Sequence, residues 1–477
     1  MQQRGNDSGH VSRWRRGWVA LLALALLAGA CGDDGDDVAT DDGGSTTTTE
    51  VSVDDGDGGD DDATTTTAPT TSEGPVELPA SFRGVTSTSI KVGVAVPDFD
   101  ALQAAGISNY QGDADIAFQA FIDQINADGG VFGRQIEPVY VSFDFLAPES
   151  QDVACAEFVD DHEVFIVLYG LLTANNTCLT ELNQTMVMTR SFQTSELRER
   201  SGDTLWLQLN ASDDERVRIL GSALHEAGRL EGKTLGILAS ASQGDGLEGR
   251  VLQEVLGDLG YESTLLIGEV GQGDQAATAN ERALFAETYR TAGVDYLFDL
   301  TGGGNTAGDF ADAGFTPEFA FKAIGPAMDG AADRSILEGA VGVGEITESA
   351  MLVDDDFITN CLDVVIDANP DLAEEILYLP SGDEQAAGQR SWVNPIMIAC
   401  DQTRLLKMIG EIAGADLTND SFRAALDELG PVDLYGYGQA SFRSDDKWDG
   451  LDEFFLQEYD VETDSIVVVG DPIVVDR

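Results

Sequence analysis

Histidine is almost missing from this chain: three occur in 477 residues, at His10, His162 and His225. With so few imidazoles and no HExxH pair, the sequence offers no metal site built on histidine. It also has no GxSxG elbow, so a hydrolase reading lacks its nucleophile motif, and His225 falls in a helical stretch where a surface role fits better than that of a base. Basic residues are scarce as well. Against 86 Asp and Glu stand 26 Lys and Arg, a formal net charge of -60 that repels phosphate backbones and makes nucleic acid a poor partner. No CxxC pair occurs among the five cysteines, which argues against thiol redox and zinc roles. The glycine run after Thr301 completes neither a P-loop nor a dinucleotide fingerprint, so no cofactor is implied.

What is present begins with an address. Arg4, Arg13, Arg15 and Arg16 precede the apolar run 18–28, which is followed by Ala28-Gly29-Ala30-Cys31. This reads as a secretory leader over residues 1–30, too short for a spanning helix of roughly 20 residues. Small residues directly before Cys31 resemble a bacterial lipoprotein box, in which Cys31 becomes the lipidated first residue. Simple cleavage or an uncleaved anchor is the alternative, and Arg15-Arg16 leaves both the general secretory and the twin-arginine routes open. Residues 31–80 are Asp, Gly and Thr with almost nothing apolar, so they cannot offset their ordering entropy by burial and read as a disordered acidic stalk. Asp54-Asp55-Gly56-Asp57 does not meet the spacing of a calcium loop. The four later cysteines, Cys155, Cys178, Cys361 and Cys400, are an even number in an exported chain, and disulfides are their natural reading. Pairing of sequence neighbours, Cys155 with Cys178 and Cys361 with Cys400, would close loops worth about 3 to 4 kcal/mol each on the chain-entropy model.

Beyond the stalk, short β-branched runs alternate with amphipathic stretches. A strand at 90–96 leads to a helix at 113–127, where Phe118, Phe121, Ile122 and Ile125 fall on one face and Gly129-Gly130 ends it. Strands follow at 136–143, 164–169 and 186–189, with helical stretches between them. Ser212-Asp213-Asp214-Glu215 reads as a capping box opening a second series, with strands at 234–239, 264–269 and 295–300 and helices at 247–259 and 276–292. Later helices at 391–413 and 418–429 return to the first series. Such βα repeats give mainly parallel sheets covered by helices on both faces.

The block 125–136, Ile-Asn-Ala-Asp-Gly-Gly-Val-Phe-Gly-Arg-Gln-Ile, followed by a strand ending at Asp144, resembles the Leu/Ile/Val-type solute-binding proteins of ABC transporters. Glu196-Leu197, Gln243-Gly244-Asp245-Gly246, Gly325-Pro326 and the segment 417–426 add to the likeness, which covers nearly the whole chain after about Ser89. The resemblance implies an α/β fold of two doubly wound, Rossmann-like lobes joined by a hinge of three crossovers, the type I periplasmic binding protein architecture. Lobe 1 is expected over 85–207 plus about 345–430, and lobe 2 over 208–344 plus about 431–477. It implies a monomer that traps a small polar solute between its lobes, delivers it to a membrane permease, and is no enzyme. The region of Cys155 and Cys178 is one where the family often carries a disulfide.

The same resemblance points to loops at strand ends as ligand contacts, here Thr173, Ser191, Phe192, Gln193, Gln243, Thr301 and Asp329. Several depart from the amino-acid-binding pattern. Phe192 and Gln193 stand where a small residue and a Thr are expected, Gln243 where an aromatic walls the pocket, and Asp329 lies later than the usual ammonium partner. The solute expectation therefore widens from branched-chain amino acids to other amino acids, amides and organic acids. A lipid-tethered ligand sensor on the same fold is the alternative function, and an exported hydrolase the least favoured.

Overall fold

The β-branched run after Thr88 forms β1 (Ser89–Pro97), in which Ile90, Val92 and Val94 have no exposed surface. It is the second strand of a five-stranded sheet ordered β2-β1-β3-β4-β5, with β2 (Gln135–Phe143), β3 (Ile166–Tyr169), β4 (Met186–Thr189) and β5 (Trp206–Gln208), all parallel. Helices α1 (Phe99–Ala104), α2 (Ala114–Ala127), α3 (Pro148–Ala156) and α4 (Ser195–Arg200) connect or flank these strands. The computed structural model describes residues 78–104, 110–190, 194–241, 246–268, 275–301, 305–331, 333–381, 384–385 and 387–475. The leader, Cys31 and nearly all of the stalk lie outside these residues.

α2 buries the face its spacing predicts, Phe118, Phe121, Ile122 and Ile125. It stops at Gly129 and Gly130, both at positive φ, and a Cβ at Gly130 would collide with the Arg134 carbonyl, so only glycine fits there. Arg134 itself is fully buried. Its guanidinium donates to the carbonyls of Pro79 (2.9 Å), Thr86 (2.8 Å) and Ala415 (2.7 Å), tying the first described residues to the distant carboxyl-terminal part of the same lobe.

The second series begins with α5 (Asp213–Glu226) and runs through β6 (Leu235–Ser240), α6 (Leu247–Asp258), β7 (Ser263–Gly268), α7 (Gln275–Ala292), β8 (Tyr296–Asp299), α8 (Thr306–Asp312), β9 (Glu318–Phe321), α9 (Ile324–Gly330) and β10 (Val341–Gly344). Its strands are parallel in the order β10-β9-β8-β6-β7. The chain then goes back to the first lobe through α10 (Glu348–Met351) and the long helix Val393–Ala413, which packs on α2 and β3. A hairpin of β11 (Val432–Leu434) and β12 (Gly438–Ala440) leads to β13 (Glu453–Asp460), which joins β10 antiparallel and carries β14 (Ser465–Val468) and β15 (Ile473–Val474). The architecture is thus two helix-covered, mainly parallel sheets connected by three crossovers, at 209–212, 345–347 and 441–452, the second sheet finished by antiparallel strands that the sequence pattern did not predict.

Both expected disulfides form, Cys155–Cys178 and Cys361–Cys400. The capping box at Ser212 does not. Ser212 occupies the N-cap of α5 but its side chain makes no cap bond, and its backbone N–H donates instead to Asp449 Oδ2 at 2.9 Å. A reciprocal capping box forms at Thr418 and Ser421.

The return hairpin is fixed by one carboxylate. Asp401, fully buried on the long helix, accepts the N–H groups of Tyr435 (2.9 Å) and Gly436 (3.0 Å) between β11 and β12. Burial pushes its carboxyl up to about 6 despite those two donors and Arg404.

Candidate functional site

Parallel strands direct their carboxyl ends to one side of a sheet, and in an open α/β fold solutes gather at that edge. In the first lobe that edge carries Tyr169 at the end of β3 and Arg190 directly after β4. In the second it carries Ser240 at the end of β6, Asp299 and Thr301 at β8, and Lys322 after β9.

Tyr169 sits at φ 66°, a left-handed conformation costing about 1 to 3 kcal/mol for a bulky residue. Its backbone N–H donates to Gln402 Oε1 at 2.7 Å, a side chain from the long helix with no exposed surface, so the surrounding structure holds the strained turn in place. The Tyr169 phenol meets the Arg190 guanidinium. Burial raises the phenol's pKa and Arg190 opposes the rise. Arg190 also lies in the field of Glu345 and Glu348, which flank the second crossover, and of Tyr437 on the return hairpin.

Each neighbouring carboxylate is engaged elsewhere. Glu345 is ion-paired with Arg216 of α5, whose side chain is 2% exposed. Burial alone would raise Glu345, but Arg216 outweighs it and holds the carboxyl below its usual range. Glu348 accepts a hydrogen bond from Ser391 Oγ at 3.3 Å, and burial raises it. The Tyr437 hydroxyl is buried without a hydrogen-bond partner among the described residues.

Lys322 is buried in the second lobe between the amino ends of two helices. Its ammonium lies 3.4 Å from Asp213 Oδ1 at the start of α5 and 3.1 Å from Glu248 Oε1 at the start of α6. Helix amino ends favour both carboxylates. Burial pulls the lysine's pKa down, the two acids together outweigh it, and the ammonium stays charged. Glu248 is pushed up to about 7, by burial first and then by Asp213, against the pull of Lys322.

Among the carboxyls whose folded-state pKa is raised, which also include Asp299, Asp309 and Glu348, Glu248 and Asp401 set the sign of a pH response. Each binds its proton more tightly when folded, so its contribution is present in acid and lost as pH rises through about 6 for Asp401 and about 7 for Glu248. The unfolding temperature is therefore expected to rise as the buffer goes from pH 8 to pH 5, and the Glu248→Gln variant to show a flatter profile. Parallel profiles for variant and parent would remove Glu248 as a source.

Crossovers one and three are joined to each other. Gln208 N–H donates to Trp448 O and Gly450 N–H to Gln208 O, both at 2.8 Å, and the nearly buried Lys447 binds the carbonyls of Asp449 and Gly450. Beside them a pocket of about 320 Å³ opens where the lobes meet, lined by Thr194, Ser195 and Arg198 from the first, Ser212, Asp214 and Glu215 from the second, and Arg443, Asp446, Lys447 and Asp449 of the third crossover. Ser195 donates to Asp214 across it through both its N–H and its hydroxyl.

The expected ligand contacts are placed unevenly. Thr301 is buried, and its N–H (3.0 Å) and hydroxyl (2.6 Å) both donate to Asp299 Oδ1. Thr173 opens a short 3-10 turn, Thr173–Asn176, and Asp329 lies within α9. Ser191, Phe192, Gln193 and Gln243 lie outside the described residues, in the loops that follow β4 and β6. Sequence reasoning missed Arg190, Tyr169, Glu345, Glu348 and Tyr437. The available signal was a basic residue directly after an apolar strand in a chain this acidic.

No family profile matches the chain and no curated protein matches it in sequence. Solved structures do. A solute-binding protein of an ABC transporter from Rhodopseudomonas palustris BisB5, in complex with 3,4-dihydroxybenzoic acid, is similar over 82% of this chain and 98% of its own, with a TM-score of 0.57 at 15% identity. An ABC transporter substrate-binding protein from Desulfitobacterium hafniense, in complex with Leu, is similar over 80% and 100%, with a TM-score of 0.54 at 15% identity. A fatty acid ABC transporter substrate-binding protein from Thermomonospora curvata is similar over 83% and 94%, with a TM-score of 0.55 at 16% identity. Together with the two sheets and three crossovers, these likenesses establish that this chain has the two-lobed α/β fold of the type I periplasmic binding proteins.

Proposed function

We propose that the protein is the extracytoplasmic solute-binding component of an ABC importer, held at the outer face of the cytoplasmic membrane by lipid on Cys31. A small polar solute, an amino acid, an amide or a related organic acid, enters between the lobes, hinge closure buries it, and the closed form delivers it to a permease. The observation that carries this reading is the pocket of about 320 Å³ where the two lobes meet beside the crossovers, lined by charged and hydroxyl side chains of both. Our proposed contact set is Ser191, Phe192, Gln193 and Gln243, which follow β4 and β6 in the sequence, with Thr173, Thr301 and Asp329. The lobes divide as 85–208 with about 348–440 and 213–344 with about 453–477, the hairpin held by Asp401 belonging to the first lobe and not, as the boundary expected at about 431 had it, to the second; a leader at 1–30 and a stalk at 31–80 precede them, and the protein acts as a monomer without catalysis. The fold neighbours bound to leucine and to a benzoic acid support a small-solute role.

The test is thermal unfolding of the purified, ligand-stripped protein against amino acids, amides, polyamines, sugars and small organic acids. A true solute at about 100 times its dissociation constant adds roughly 2.7 kcal/mol of stability. A folded protein that no member of such a collection stabilises would count against solute capture.

A further inference from the structure

We propose that the helical layer of the first lobe carries a second binding site, a groove that takes an amphipathic organic anion, a small carboxylate with an apolar body. A cavity of about 280 Å³ lies there among α2, the long helix, the π-helical turn Ile358–Leu362 and the return hairpin, and it shares no lining residue with the pocket beside the crossovers. Much of its wall is apolar, with Phe121 and Ile125 from α2, Met408 from the long helix and Val364 from the short helix Asp363–Ala368. Arg404 and Lys407, three residues apart on the long helix, both face this space. Like charges at that spacing repel each other. In a chain with 86 acidic and 26 basic residues, carboxylates are at hand to separate them. Yet neither cation forms an ion pair with any described residue, and Asp128, the one carboxylate among the lining residues, reaches neither.

Arg404 is held in place without being neutralised. Its guanidinium carbon lies 4.7 Å from the centre of the Tyr435 ring, and Nη1 donates to the Asp433 carbonyl. Nε and Nη2 have no protein partner among the described residues, and together they are the edge that receives a carboxylate through two parallel bonds. The walls are fastened separately. Cys361–Cys400 ties the π-helical turn to the long helix, Asp401 holds the N–H groups of Tyr435 (2.9 Å) and Gly436 (3.0 Å), and the long helix packs on α2. A preformed concavity with apolar sides and a few placed polar groups is how small-molecule sites are built. A neutral apolar molecule leaves both cations uncompensated, and an inorganic anion leaves the apolar walls in water, so the occupant that completes the groove has both parts.

Calorimetric titration of the full mature protein, with both disulfides formed, tests the assignment. The probes are hexanoate and 4-phenylbutyrate, their neutral amides, and inorganic phosphate. At least one acid is expected to bind, with its amide about tenfold weaker or more and phosphate not measurable. Arg404→Gln should weaken that acid by about tenfold or more, and Lys407→Gln by about threefold. Thr359→Glu, which adds a carboxylate at an exposed position of the groove, should weaken it as well. The side chains of Lys407 and Thr359 bond to no described residue, so these two variants should melt with the parent and keep the test open if Arg404→Gln folds poorly. Amide hydrogen exchange should slow at 358–364 and 433–437 when the acid is bound, and not at 194–215. Acid binding that the variants leave undiminished, protection at 194–215 in place of the groove, amide or phosphate binding as tightly as the acid, or no acid binding tighter than about 10 mM each overturns the site and leaves solute capture between the lobes standing.

Discussion

Replacing Lys322 with methionine is expected to destabilise the folded chain by roughly 3 to 5 kcal/mol at pH 8, the usual cost of removing one partner from a buried ion pair. The lysine side chain is 6% exposed and stands between two carboxylates that are 6% and 3% exposed. Without the ammonium, Asp213 and Glu248 are two buried like charges with no cation between them. Glu248, already pushed up to about 7, then protonates further and donates to Asp213, so the loss should shrink toward pH 5.5. Urea unfolding at the two pH values measures both parts. Adding Glu248→Gln to the lysine variant should recover part of the stability at pH 8, because the remaining carboxylate then faces an amide donor. A loss below about 1 kcal/mol at both pH values would place this triad with ion pairs that contribute little.

The second large effect concerns the covalent links. Exchanging Cys361 and Cys400 together for alanine is expected to lower stability by about 3 to 4 kcal/mol on the chain-entropy model. The bond joins the π-helical turn Ile358–Leu362, which follows the second crossover, to the long helix Val393–Ala413. It spans 39 residues against 23 for Cys155–Cys178, so removing the first should cost about 0.5 kcal/mol more than removing the second. Denaturant midpoints of the two double variants give the comparison directly. Equal stability of variants and parent would show that the link does not restrict the unfolded chain as the model requires.

The lobes were legible because their strands are apolar and short and their helices keep a regular stripe. β3 and β4, with every residue buried, stand out as runs between polar turns, and α2 announces its face by spacing alone. The pairing of the cysteines followed from sequence proximity in the same way. The ligand edge was far less readable. Its charges meet through the fold: Lys322 finds Asp213 and Glu248 from two other helices, and Glu345 finds Arg216 across a crossover. No local spacing encodes such meetings. The left-handed turn at Tyr169 has no composition signal, since an aromatic is the residue least expected there. Ser212 misled for a similar reason: the local pattern fits a capping box, but Asp449 in the third crossover claims its backbone donor. β13 escaped notice because acidic and amide residues interrupt its apolar ones, although it lies inside the sheet between β10 and β14.

The hydrogen bonds of Arg134 decide how the molecule carries mechanical load. Pro79, Thr86 and Ala415 all belong to the side of the chain built on the five-stranded sheet, and Ser81 adds a bond to Leu417 at 2.7 Å. A pull applied upstream of Pro79 is therefore taken up within the first lobe and dissipated there. The second lobe is reached through the crossovers and the Ser195–Asp214 hydrogen bonds, not through Arg134 or Ser81, so the amino-terminal attachment point and the second lobe share no direct bond among these contacts.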